Sequence, residues 1–119
     1  MIQIKIMNIY DCFTFFDENE ILEIRLNELN KYVDYFVIVE AGQSHRGIKK
    51  NKNINEDIIN KFKSKVRYYY IDSFDKNLSP WQRENFQRNY INIGLHDAKK
   101  DDIIIVSDAD EIPNLKNFN

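Results

Sequence analysis

The order of strand-like and helix-like segments predicts an α/β fold, an open and mostly parallel sheet with helices on both faces. Three observations carry this reading. Four short segments rich in β-branched and aromatic residues alternate with three segments of helical spacing, in the order βαβαβαβ. Strands joined through helices in this way run parallel by right-handed crossovers. Each strand-like segment also runs into an acidic residue, and open parallel sheets bind ligands beyond the carboxyl ends of their strands.

The first strand is expected at Ile2 to Tyr10, where IQIKIMNIY alternates, and YDCFTFF follows it as aromatic packing at the sheet end or as a rest for a nucleotide base. ENEILEIRLNELNKYV then aligns Leu22, Leu26, Leu29 and Val33 on one helical stripe, with Asp17 or Asn19 as its cap. YFVIVE (Tyr35 to Glu40) is the second strand, and the polar loop GQSHRGIKKNKNINE hangs from its end. EDIINKFK is a short helix with Ile58, Ile59 and Phe62 on one side, followed by the strand VRYYYID (Val66 to Asp72). PWQRENFQRNYINIGL starts with Ser79 as N-cap and Pro80 in the first turn, and lines up Phe86, Tyr90 and Ile93. The last strand, DIIIVS (Asp102 to Ser107), drives straight into Asp108, Asp110 and Glu111. With Asp11, Glu40 and Asp72 after the earlier strands, the acids gather at one edge.

A chain of 119 residues is one domain's worth, read here as a single domain over residues 1–119. Its 17 Lys and Arg against 19 Asp and Glu leave a net charge of -2, which offers no basic field for nucleic acid. Cys12 has no cysteine partner within the chain, and MIQIKIMN alternates where a signal peptide would be continuously apolar, so a cytoplasmic location is expected. The apolar runs YFVIV and IIIV are far shorter than the roughly 20 residues of a membrane helix.

Carboxylates packed as closely as those of SDADEIP repel one another, and a cation offsets the repulsion. On an extended backbone Asp108 and Asp110 leave from the same side and converge on one ion. Hard oxygen ligands without His or Cys select Mg²⁺ or Mn²⁺, with waters and substrate phosphates completing the shell. The plainer alternative is a solvated loop, and Ser107 fits a turn or cap better than a nucleophile. Arg83 and Arg88 lie on the preceding helix and present planar forks suited to phosphate, although Glu84 and Arg88 also form an ordinary i,i+4 pair. Asn85 and Asn89 are poor helix formers whose amides have something to bond. Glu40 either meets a sugar hydroxyl or orients a loop, and Cys12 with His45 is a weak nucleophile and base pair that lacks a third member.

YDCFTFF, EILEIRLNEL, DYFVIVEAGQSHRG, PWQRENFQRN and DDIIIVSDADEIP together resemble glycosyltransferase family 17, from about Tyr10 to Pro113. The resemblance implies a GT-A type nucleotide-binding fold, a UDP-sugar donor (typically UDP-GlcNAc), a glycan acceptor, a divalent cation and inversion at the anomeric carbon. It assigns the metal motif to Asp108 and Asp110 and the donor side to Tyr10, Asp11, Glu40, Arg83, Arg88 and Asn89. Glu111 adjoins the motif as a further catalytic-site residue, orienting rather than acting as base. Family members continue past the D-x-D, so the fold is expected to be incomplete, either as a fragment or as a naturally short chain. Self-association, or a completing chain at the last strand's edge, is expected on that reading, as is a soluble bacterial or viral form. A haloacid-dehalogenase-type phosphatase places its D-x-D on the first strand, and here the motif is on the last. A nucleotide-sugar-binding module without turnover is the third reading.

Overall fold

A computed structural model of the chain describes residues 7–116. Its elements are β1 (Ile9–Phe15), α1 (Asn19–Leu29), β2 (Tyr35–Ala41), α2 (Glu56–Asn60), β3 (Val66–Ile71), α3 (Pro80–Asn89), a 3-10 helix (Tyr90–Leu95) and β4 (Ile103–Asp108). The four strands form one open, all-parallel sheet in the order β3-β2-β1-β4. The chain therefore winds outward from β1 to β3 and returns to the far side of β1 for β4. That reversal is the topological switch point of the sheet.

The first strand is displaced from its expected position. Residues 2–6 lie outside the described residues, and the strand observed is IYDCFTF itself. Its position between β2 and β4 explains the difference, because an inner strand covered on both faces reads as a nearly continuous apolar run, not an alternating one. Asp11 interrupts that run, and its charge made the segment look like the strand's exit.

Side chains leave the sheet alternately and feed two cores. On one face Phe13, Phe15, Phe36 and Ile38 pack with Leu22, Leu26 and Leu29 of α1 and with Ile58 of α2. On the other, Tyr10, Cys12, Val37, Val39 and Ile71 pack with Ile91 of the 3-10 helix and Phe74. Neither Asp17 nor Asn19 caps α1; the N-cap is Glu18, which makes no side-chain cap bond. Ser79 does cap α3, in a capping box with Gln82, and Pro80 stands in the first turn.

Of the stripe expected along α3, Tyr90 packs against the second core, but the buried line runs one residue later. Phe86 and Ile93 are 46% and 47% exposed, while Gln87, Ile91 and Gly94 face the sheet. Gly94 allows this approach, since a Cβ there would stand 2.5 Å from Val37 Cγ1. Phe86 packs edge-on against Phe74 instead. β4 forms one sheet edge, with Ile103 and Ile105 turned toward the α1 side and Ile104 and Val106 exposed on the other. Among the described residues no helix is long and apolar enough to cross a membrane.

Candidate functional site

A cavity of about 330 Å³ opens at the switch point, beyond the carboxyl ends of β1, β2 and β4. Thr14 and Phe15 line it from β1, Phe16 from just after it and Ala41 from β2, while Ser44, His45 and Lys50 come from the following loop. Gln87 closes one side, and Asp108, Ala109 and Asp110 close another.

The backbone does not stay extended through the D-x-D. It turns immediately after β4, with the Glu111 amide donating to the Asp108 carbonyl at 2.9 Å. Ala109 at the turn's centre is buried in the α1-side core, while Asp108 and Asp110 are exposed and both line the cavity. The Asp108 amide donates to Glu111 Oε1 at 2.9 Å, and the Ser107 hydroxyl donates to the Glu111 carbonyl at 3.1 Å. Glu111 therefore staples the turn.

Beneath this turn lies Arg25 of α1, fully buried. Its Nε and Nη2 donate to the two carboxylate oxygens of Asp11, at 2.8 and 2.6 Å. Nη1 donates to the carbonyls of Asp108 (2.7 Å), Ala109 (3.1 Å) and Glu111 (3.3 Å), and Nη2 also reaches the Ser107 hydroxyl at 2.6 Å. All five guanidinium donors are thus engaged, and the group stacks on Phe13 at 4.2 Å. Asp11 compensates the buried charge, and Arg25 in turn holds the carbonyls that shape the D-x-D turn. A signal for Arg25 was present in the sequence: it sits between Leu22 and Leu29 on the apolar stripe, where an exposed arginine does not belong.

The expected donor-side residues separate into three groups. Tyr10 points to the opposite end of the sheet, where its hydroxyl donates to Asp97 at 2.9 Å. Burial and that carboxylate push its pKa up to about 12. Asp11 lies within β1 and is spent on Arg25, and Glu40 is equally buried. Glu40 accepts from Lys50 Nζ (2.7 Å), the Tyr68 hydroxyl (2.7 Å) and the amides of Asn53 (2.6 Å) and Ile54 (3.3 Å). It is a loop-orienting acceptor that ties residues 50–54 down before α2. Burial, then the bond to Glu40, push the Tyr68 phenol well above its ordinary range.

On α3, Arg83 donates to the His45 carbonyl at 2.9 Å and lies against Gly47, whose φ of 84° suits glycine. It holds the loop rather than facing the cavity. Arg88 Nη2 stands 3.5 Å from Glu84 and 3.8 Å from Asp108, so it belongs both to the surface pair and to the motif's surroundings. Asn89 is exposed at the end of α3. Cys12 is buried and its thiol is pushed up to about 12, mainly by desolvation, which removes it as a nucleophile.

The donor set suits a hard divalent cation. Among the described residues no cluster of three or more His, Cys, Asp or Glu side chains is disposed to hold a metal by itself. Two exposed carboxylates beside a cavity match an ion that takes its other ligands from water and phosphate oxygens.

An open all-parallel sheet with a carboxylate-lined cavity at its switch point is the place where α/β sheets of this kind bind ligands. The chain belongs to glycosyltransferase family 17, whose model matches residues 2–119. It is similar to the β-1,4-mannosyl-glycoprotein 4-β-N-acetylglucosaminyltransferases of Homo sapiens and Rattus norvegicus, each 28% identical over 106 residues. The Mus musculus counterpart is 27% identical over the same length. Each match covers 81% of this chain, which spans about 20% of the relative's length. No solved structure matches it.

Proposed function

We propose that these residues form the donor-binding part of a GT-A-type glycosyltransferase that moves a sugar, typically N-acetylglucosamine, from a UDP-sugar to a glycan acceptor. The observation that carries this is the placement of Asp108 and Asp110 on one cavity at the switch point, on a turn fixed from below by Arg25. In this reading the two carboxylates hold Mn²⁺ or Mg²⁺ against the donor's diphosphate. A divalent cation bound there supplies Lewis-acid stabilisation of the charge that develops on the leaving diphosphate. Arg88, 3.8 Å from Asp108, adds a positive charge on the outer side of the same motif. Phe16 offers an apolar surface for the nucleotide base or sugar ring, being 47% exposed on the cavity wall.

The test is calorimetry of UDP binding with Mn²⁺ and with a chelator. Wild-type chain should bind UDP only with the metal, and Asp108→Asn and Asp110→Asn should each weaken that binding at least tenfold. Equal affinity in chelator would remove the carboxylates from the donor site. A nucleotide-sugar-binding module without turnover is the second reading. An assay of UDP release with a mannose-containing acceptor separates the two.

A further inference from the structure

Gln87 is 4% exposed and held at both ends of its amide. Its Nε2 donates to the Val39 carbonyl at 3.0 Å, and a carbonyl oxygen only accepts, so the nitrogen must face β2. The amide oxygen then faces the loop, 2.8 Å from His45 Nε2. An amide oxygen cannot donate, so the hydrogen on this bond belongs to the imidazole. A neutral imidazole carries one proton, and with Nε2–H spoken for, Nδ1 is a bare acceptor. The ring's backbone is fixed from the same helix by Arg83 on the His45 carbonyl.

We infer that Gln87 locks His45 in the Nε2–H form so that Nδ1 accepts a hydrogen bond from a hydroxyl of the ribose or sugar of a bound nucleotide sugar. The inference rests on the donor-binding reading above. Two neighbouring polar groups of the loop are already committed elsewhere. Gln43 bonds the Gly47 carbonyl and the Phe74 amide, and Lys50 bonds Glu40 and the Asn51 carbonyl. The carboxylates of Asp108 and Asp110 are claimed by the cation in that reading. His45 lines the same cavity and retains an uncommitted acceptor for a hydroxyl donor.

Two measurements test it. Nitrogen-15 NMR of the full chain, read at the neutral limit of a pH titration, should show His45 with a protonated Nε2, and Gln87→Met should let the ring revert to a tautomer mixture. Calorimetry with UDP and with UDP-GlcNAc, both with Mn²⁺, should show His45→Gln weakened about five- to tenfold. His45→Asn, which returns an acceptor oxygen near the Nδ1 position, should recover part of the loss. A loss shared by both ligands assigns the ribose, and a loss confined to UDP-GlcNAc assigns the sugar. A protonated Nδ1 in the wild type, or unchanged affinity of His45→Gln for both ligands, would overturn the inference while leaving the donor site standing. A wild-type chain that binds neither ligand would overturn the donor reading and His45's ligand together, whatever the tautomer.

Discussion

Asp11 and Glu40 are fully buried, whereas Asp108 and Asp110 are exposed, although all four belong to strands or strand ends of one sheet. The buried pair is saturated: Asp11 accepts both arms of Arg25, and Glu40 accepts from two side chains and two amides. Around the exposed pair the contacts are loose. Arg88 approaches Asp108 only to 3.8 Å, and among the described residues no side chain pairs with Asp110. The buried acids are satisfied by the protein, while the exposed acids keep lone pairs that the donor-binding reading assigns to a cation. Acids of one sheet thus meet opposite surroundings, and burial with a full set of partners separates them.

The largest effect that sharpens this contrast is expected at Arg25. Arg25→Met strands a buried carboxylate and frees three carbonyls of the motif turn, and should lower unfolding stability by about 3–5 kcal/mol in denaturant titration. Replacing both charges, as Arg25→Met with Asp11→Leu, should recover much of that loss, because neither charge is then left alone. The double variant should still bind UDP and Mn²⁺ poorly, since the turn has lost its template. Recovery of binding along with stability would show that Arg25 does not shape the motif.

Glu40→Gln should come next. It keeps the shape but loses the ion pair with Lys50 and turns a donor toward groups that also donate, for a cost of about 1–3 kcal/mol. The loop over residues 42–55 should then exchange its amide hydrogens faster, with the sheet unaffected.

A smaller effect is expected at the far end of the sheet. There Arg67 pairs with Asp97 at 2.7 Å and stacks on Tyr35 at 3.8 Å. The Arg67 bond, and then that from Tyr10, hold the Asp97 carboxyl well below its ordinary 3.8. A depressed carboxyl adds stability that is fully present above the unfolded value. That stability is lost as pH falls below about 4 toward the folded one. Thermal unfolding of Asp97→Asn should therefore show a shallower acid limb than wild type, with the two curves converging at the lowest pH.

The smallest stability effect belongs to the exposed pair. Asp108→Asn and Asp110→Asn should change the ligand-free Tm little, within about 0.5 kcal/mol of stability, or raise it slightly by relieving like-charge repulsion. A large loss in either variant would place these acids with Asp11 and Glu40 as structural groups.

Local chemistry determined a good deal of this protein. The alternation of apolar segments, Ser79 with Pro80 at the start of α3, and the run of Ile103 to Val106 into Asp108 and Asp110 carry the fold class, the parallel sheet and the acidic end of β4. Each depends on neighbours in sequence, where propensity, capping and period act. Tertiary structure decided the rest. Whether Asp11 and Glu40 meet a ligand or a guanidinium and a loop depends on side chains 14 and 10–28 positions away. Arg25 read as one residue of a helix until β4 brought three carbonyls to it, across more than 80 positions. Gln87 took the face expected for Phe86 because the close seat at Gly94 and the polar partners Val39 and His45 outweighed apolar periodicity. A carboxylate's role follows from the partners that remain once the chain has folded, and sequence spacing does not specify those partners.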